Sequence, residues 1–434
     1  MTVAFKTFGC RLNRAEALDL EAAVQAAGHT VVDLPAGTGP APDCIVVRGC
    51  SVTARAQRDC EKEIAHLQAR FPHSRLVVQG CLPNAVKDLS ALLRPLGTVP
   101  AGTIPRAAVV SDRTSRAYLK VQDGCSGRCA FCIVPRFRGP PRSVPFDEVL
   151  AHARTCLAAG FRELVVTGCN LALYRSQGHG LADLLAALAT LGTDPDKTTG
   201  TVPKMSGTVP VHRVRLGSLE PGICDADILA VFEKYANICR FIHLSLQSGS
   251  PDVLARMNRP YRLETVAAFC TEARRRLGPR LALGADVITG FPGETEADFR
   301  QTEAFLMGTV PGGSVGTVPG GFVGTGPFGF TNLHVFPYSE RPGTPAATMD
   351  GALPRAVRLA RARMLEQRGQ SLRRAFAQSF LGETVEVCIE RGGDHGWTAE
   401  YLPCRLREGT APRRSLVPLR VVEVTSDGTL LGQP

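Results

Sequence analysis

A chain of 434 residues holds enough apolar material for roughly two to four domains, and no run of 18 apolar residues predicts a membrane span. The opening MTVAFKTFGC lacks the basic-then-apolar pattern of a secretory leader, so a cytoplasmic protein is expected. In a reducing compartment 15 cysteines are poorly explained by disulfides, which leaves metal or cluster ligation, catalysis or burial, while the net charge of +10 directs attention to where the arginines gather.

Residues 1–112 alternate strand and helix. Val3–Thr7, Cys44–Val47 and Leu76–Val78 have strand composition, and Ala15–Ala27 and Ala54–Ala69 have the helical apolar period. The expectation is an α/β domain with a parallel sheet. A second series of βα units, 113–350, has strands at Tyr118–Val121, Glu163–Val166, Arg213–Arg215, Phe241–Leu246, Leu281–Ile288 and Leu333–Phe336. Helical patterns at Phe146–Ala158, Asp225–Tyr235 and Leu263–Leu277 separate them, predicting a full or partial parallel barrel with its chemistry at the strand C-termini. Residues 354–377 read as a helix within an arginine-rich connector, 351–376. The tail, 377–434, reads as a small β-barrel. G-T-V-P recurs at 97, 200, 207, 308 and 316, with G-T-I-P at 102 and G-T-G-P at 324, and is expected to form low-complexity surface insertions.

Two basic segments stand out. Leu353 to Arg374 holds seven arginines and one acid, Glu366, and Cys125 to Arg142 holds Arg128, Arg136, Arg138 and Arg142 with no acid. The first alone reads equally as a solvated helix face; together they favour a polyanionic partner, most simply nucleic acid.

The cysteines carry the chemistry. V-V-R-G-C (46–50), V-V-Q-G-C (77–81) and V-V-T-G-C (165–169) repeat one pattern, with looser copies at 5–10 and 119–125. Glycine permits a sharp bend where a strand ends, so Cys10, Cys50 and Cys81 are expected at one rim of the first sheet as a three-cysteine iron site. Cys44 opens its strand and is expected in the core. In C-S-G-R-C-A-F-C, Cys125, Cys129 and Cys132 can hold three irons of a cubane and leave the fourth open. A structural zinc would want a fourth ligand, and the loop offers none.

This C-x3-C-x2-C loop after a first barrel strand resembles the radical S-adenosylmethionine (radical SAM) superfamily. With T-F-G-C-R-L-N-R-A-E, R-G-C-S-V-T, Q-G-C-L-P-N, R-L-G-S-L-E-P, H-L-S-L-Q-S-G-S, M-N-R-P-Y, G-A-D-V-I-T-G-F-P-G-E-T and H-V-F-P-Y-S-E-R-P-G-T in order, the chain resembles the methylthiotransferases of that superfamily over nearly its full length. It is most similar to the branch acting on threonylcarbamoyladenosine at tRNA position 37; sister branches act on isopentenyladenosine in tRNA or on a ribosomal-protein aspartate.

The resemblance implies two [4Fe–4S] clusters on Cys10/Cys50/Cys81 and Cys125/Cys129/Cys132, with SAM on the second. It implies a SAM pocket near Phe131, the Gly168–Asn170 turn, Ser218 and Gln247, with Cys169 a non-ligand. The radical from SAM would abstract hydrogen from C2 of the adenine, and the first cluster would supply the sulfur to be methylated. Arg136, Arg138 and Arg142 would contact the RNA backbone, and a TRAM-type barrel would end the chain. Implied partners are a tRNA anticodon stem-loop and an electron donor such as flavodoxin or ferredoxin, with no membrane and a monomeric state. A protein-modifying enzyme and an inactive cluster-bearing RNA binder are the competing readings.

Overall fold

The computed structural model describes residues 1–35, 39–82, 113–191, 212–224, 226–309 and 328–434. The G-T-x-P tracts beginning at 97, 102, 200, 207, 316 and 324 lie outside the described residues, as does all but Gly308 and Thr309 of the tract at 308.

The N-terminal part is a parallel four-stranded sheet built from β1 (Thr2–Thr7), α1 (Arg11–Ala26), β2 (Thr30–Val32), β3 (Cys44–Gly49), α2 (Ala54–Arg70) and β4 (Arg75–Gly80), in the order β2-β1-β3-β4. Side chains alternate across the strands. Val3, Phe5, Cys44 and Val46 therefore pack on Leu20, Ala23 and Val24 of α1, while Ile45 and Val47 pack on Leu67 of α2 and on Phe71. Cys44 is core, as expected. Two features differ from the sequence reading. The edge strand β2 is short and half-exposed, without a strong apolar signal. Helix α1 begins at Arg11 rather than Ala15, because its polar first turn is held by contacts to other loops: buried Asn13 donates to the carbonyls of Phe8 (3.0 Å) and Gly49 (2.8 Å).

The central part is a partial barrel. Its strands are β5 (Ala117–Asp123), β6 (Arg142–Ser143), β7 (Glu163–Gly168), β8 (Arg213–Leu216), β9 (Ser218–Leu219), β10 (Phe241–Gln247), β11 (Ala282–Thr289) and β12 (Asn332–Pro337). Its helices are α3 (Val134–Arg138), α4 (Phe146–Ala158), α5 (Leu181–Ala189), α6 (Ala226–Lys234), α7 (Pro251–Arg256), α8 (Leu263–Leu277) and α9 (Glu296–Leu306). The strands form two sheets, β6-β5-β7-β8 and β12-β11-β10-β9, parallel except at β6. Gly217 joins the sheets; a side chain there would meet the Val166 carbonyl at 2.8 Å. Leu119, Leu164, Val166, Ile242, Leu244 and Leu283 point outward into the helical layer. The inner face is correspondingly polar, and α1 packs against β5 and β7.

Helix α10 (Arg355–Gln378) packs on β12 through Gly369, where a Cβ would lie 3.2 Å from Leu333. Strands β13 (Thr384–Ile389), β14 (His395–Thr398), β15 (Pro403–Leu406), β16 (Leu416–Val424) and β17 (Leu430–Gln433) close a barrel in the order β13-β14-β15-β17-β16. Its core of Val387, Ile389, Leu402, Leu419 and Val421 is continuous with Phe376 and Phe380 around α10 and with Phe241 and Ala282 of the central sheet.

A fully buried carboxylate locks that junction. Glu163 receives Arg213 Nε (2.7 Å) and Arg215 Nε (2.7 Å), while the Arg215 Nη2 donates to the Thr398 carbonyl (2.7 Å) and Arg213 also reaches the carbonyls of Glu386 and Trp397. Removing one member of such a network strands the others in low dielectric. Glu163→Ala is therefore expected to lower the unfolding free energy by about 3–5 kcal/mol in denaturant titration of the apoprotein, whereas a change under about 1 kcal/mol would contradict the assignment.

Candidate active site

Parallel strands in register end at one edge. In β3 and β4, Gly49 pairs with Gly80, so Cys50 and Cys81 leave the sheet side by side, and Cys81 N donates to the Gly49 carbonyl (3.2 Å). Gly9 and Gly80 adopt left-handed backbone, with φ of 93° and 89°. A Cβ on Gly9 would lie 2.8 Å from the Cys50 sulfur, so glycine is what lets Cys10 and Cys50 approach. Burial pushes the Cys50 thiol up to about 11, and the Cys10 and Cys81 sulfurs add to the rise. Cys10 is exposed while Cys50 and Cys81 are buried. Cys60, which sequence reasoning passed over, supports the rim: its sulfur accepts from Cys50 N at 3.3 Å.

The second loop follows β5. Gly124 turns the chain at φ 69°, where a side chain would strike the Pro140 carbonyl at 2.0 Å. Gln122 braces the turn, donating to the Gly124 carbonyl (2.7 Å) and accepting from Asn170 N (2.8 Å). The sulfurs of Cys125 and Cys129 flank Gly127, at 3.2 and 3.8 Å from where its Cβ would sit. Burial pushes Cys132 up to about 11, with the neighbouring Cys129 and Cys125 sulfurs adding.

Each triad has cationic support at sulfur. Arg259 Nη1 donates to Cys129 Sγ (3.0 Å) while its Nη2 reaches Glu220 (2.8 Å) and the Ser245 carbonyl (2.8 Å). Arg138 Nε donates to Cys81 Sγ (3.1 Å). Its other nitrogens reach Glu16 (2.9 Å), Asp123 (2.9 Å) and Asn13 (2.8 Å). Three converging thiols with N–H donors aimed at sulfur suit thiolates bound to iron, since metal binding replaces the protons that burial would otherwise retain. Both triads fit a cluster held by three cysteines.

Of the five residues expected around SAM, Gly168 and Gln247 end β7 and β10 and Asn170 lies two residues past Gly168, whereas Ser218 opens β9 in register with His243. Asn170 Nδ2 lies 3.9 Å from Cys125 Sγ. Gln247 has φ 67°, a strained backbone for a residue with a side chain and a frequent mark of function. Phe131 is half-buried against an apolar cluster containing Val253, Met257 and Phe291. Cys169 donates to Asp123 (3.4 Å), and burial raises its pKa.

The arginines divide. Arg138, expected to meet RNA, is instead 9% exposed and committed to Cys81, Glu16, Asp123 and Asn13, since the buried Glu16 and half-buried Asp123 demand a counter-charge. Arg136 and Arg142 are exposed on the same segment, Arg142 at 59%. On α10, Arg361 pairs with Glu294 (2.6 Å), Arg368 with Glu303 (2.9 Å) and Arg358 with Glu340 (3.1 Å), whereas Arg355, Arg363 and Arg374 are exposed and form no ion pair within 4.0 Å among the described residues.

This fold and the loop after its first barrel strand define a radical SAM enzyme. The radical SAM superfamily model matches residues 119–306, and the model of an uncharacterized protein family, UPF0004, matches residues 2–95. A tRNA-2-methylthio-N(6)-dimethylallyladenosine synthase of Sorangium cellulosum is 30% identical over 433 residues, covering 88% of this chain and 80% of the relative. The threonylcarbamoyladenosine tRNA methylthiotransferase MtaB of Bacillus subtilis is 29% identical over 425 residues, covering 90% and 85%. The radical SAM methyltransferase TsrM of Kitasatospora setae shares the fold at a TM-score of 0.54 and 16% identity, covering 80% of this chain and 75% of that one. The chain belongs to the radical SAM methylthiotransferase family. Its cofactors are SAM and [4Fe–4S] clusters.

Glu16 gives the site a pH signature. Burial alone would raise its pKa, but Arg48, Lys120 and Arg138 outweigh burial and hold it at about 2, below the ordinary 4.5. A depressed carboxylate contributes stability above its unfolded pKa and loses it as pH falls through the folded one. The stability gap between wild type and Glu16→Gln in the apoprotein should be about 3 kcal/mol above pH 4.5 and shrink steadily toward pH 2 in urea titrations. A gap that does not change with pH would contradict this account.

Proposed function

We propose that this enzyme adds a methylthio group at C2 of N6-threonylcarbamoyladenosine at position 37 of tRNA. The observation that carries the reading is the second cysteine triad beside the radical SAM loop, in a chain similar over about nine-tenths of its length to threonylcarbamoyladenosine tRNA methylthiotransferases. In this reading Cys10, Cys50 and Cys81 hold one cluster and Cys125, Cys129 and Cys132 the other. When bound, the clusters and SAM supply the radical, the sulfur and the methyl group; the protein positions them.

The chain's own residues have narrower tasks. Arg259 and the backbone N–H of Gly127 stabilise thiolate charge at Cys129 and Cys125, favouring the ligating form. Asn170, Ser218, Gln247, the Gly168 turn and the Phe131 backbone shape the SAM pocket. The adenine has to leave any stack to reach this rim, which a single-stranded anticodon loop makes cheap. Arg136 and Arg142 meet the RNA backbone beside the site, and the C-terminal barrel, read as a TRAM-type domain, holds phosphate farther away. We assign the segments 1–112, 113–350, 351–376 and 377–434 to the two cluster-bearing domains, the connector and this barrel. A flavodoxin or ferredoxin reductant, a monomeric state and a cytoplasmic setting complete the reading. No helix among the described residues is long and apolar enough to cross a membrane.

The Sorangium cellulosum relative, at 30% identity, favours a second substrate, isopentenyladenosine in tRNA. Mass spectrometry of tRNA nucleosides from a strain lacking the gene separates them. The expected result is loss of 2-methylthio from threonylcarbamoyladenosine alone; loss from the isopentenyl nucleoside, or no loss, overturns the proposal. For the ligand assignment, Cys129→Ala should lower the iron of anaerobically reconstituted protein by about half, one cluster of two. Iron equal to wild type would refute it.

A further inference from the structure

On the inner face of the central barrel, three side chains converge that the reading above leaves without a task. Ile242 and Leu244 of β10 and Leu283, Ala285 and Val287 of β11 point outward into the helical layer. Alternation therefore turns His243 and Asp286 inward. Asp286 pairs in register with His334 of β12. The three lie on adjacent strands, three or four positions before the strand ends at Gln247, Thr289 and Pro337. Gly284 opens the space beside them, since a Cβ there would sit 2.3 Å from His243 Nδ1.

Asp286 Oδ1 lies 3.0 Å from His243 Nε2 and 3.3 Å from His334 Nδ1, and the two rings are 4.7 Å apart. One ligand atom from each residue falls within 4.8 Å of the other two. Bonds of about 2.1 Å to a common ion place neighbouring ligand atoms about 3.0 Å apart at right angles and about 3.4 Å apart at the tetrahedral angle. His243 is 2% exposed; its Nε2 faces Asp286 Oδ1 at 3.0 Å, while its Nδ1, on the Gly284 side, has no hydrogen-bond partner among the described residues. A cation at the focus shared by Nε2, Asp286 and His334 would take the place of the proton between the buried imidazole and the carboxylate. The neighbouring cation Arg11 is drawn aside over the Tyr401 ring, 5.0 Å from its centroid.

We propose that His243, Asp286 and His334 form a mononuclear site for a divalent first-row transition ion, separate from both cysteine triads. Two imidazoles and one carboxylate suit Zn²⁺, Fe²⁺ or Mn²⁺, and with three protein ligands they leave coordination positions open for water or an oxygen ligand. The set contains no thiolate, which distinguishes it chemically from the cluster sites.

The test uses full-length, cluster-loaded protein, stripped with EDTA under anaerobic conditions and equilibrated with micromolar Zn²⁺. Zinc and iron are measured in the same sample by inductively coupled plasma mass spectrometry. The expected result is about one zinc per chain, with affinity at least about tenfold weaker in His334→Ala and in Asp286→Asn and iron unchanged in both. His334 is 43% exposed, so its truncation removes a ligand without opening a core cavity. Equal zinc in wild type and both variants, or no stoichiometric zinc in wild type, overturns the proposal. Neither outcome bears on the tRNA product, which the nucleoside measurement reads separately.

Discussion

The arrangement of this enzyme depends on one buried guanidinium. Arg138 touches a cysteine from the N-terminal sheet, two residues of α1 and the aspartate two positions before Cys125. A planar fork with five donors in fixed directions is suited to hold several acceptors in one geometry, which a flexible lysine could not do. The ionic contacts need not make the fold more stable than apolar packing would, because desolvation offsets much of the attraction. Their effect is register: a single side chain ties the Cys81 loop and α1 to the strand end that leads into Cys125.

A second buried network does the equivalent work on the far side of the barrel. Glu163, Arg213 and Arg215 close the polar interior and spend their remaining donors on carbonyls of the last barrel. The C-terminal barrel is thus fixed to the sheet that carries the reactive loops, rather than tethered to it by α10 alone. On the proposed tRNA reading, a fixed distance between an anchoring surface on that barrel and the reacting rim would help convert binding into positioning.

Much of this was legible in the sequence because its causes are local. Glycine before cysteine marks a strand end with a sharp turn, and Gly9 and Gly80 do take the left-handed backbone that this requires. The strands of the central barrel and the helix of 354–377 follow from apolar period and length. What could not be read is what depends on partners far along the chain. Arg138 and Glu16 are separated by 122 residues, and Arg259 and Cys129 by 130. Nothing local distinguishes an arginine that meets phosphate from one that neutralises a buried carboxylate, so Arg138, Arg358, Arg361 and Arg368 read as surface charge. Arg259 and Glu220 sat inside quoted motifs, M-N-R-P-Y and S-L-E-P, whose contact with the cysteine loop appears only in three dimensions. Helix α1 was read four residues short because its first turn is stabilised by Asn13 bonds to two distant loops rather than by an apolar stripe.

The central claim is that two clusters sit close enough to share one guanidinium between their loops. Low-temperature electron paramagnetic resonance of the dithionite-reduced protein tests it directly, comparing wild type with Cys81→Ala and Cys129→Ala, each retaining one cluster. Adjacent paramagnets should broaden and split each other, so the wild-type spectrum is expected to differ from the sum of the two variant spectra. A wild-type spectrum equal to that sum, or one carrying a single cluster signal, would contradict the account.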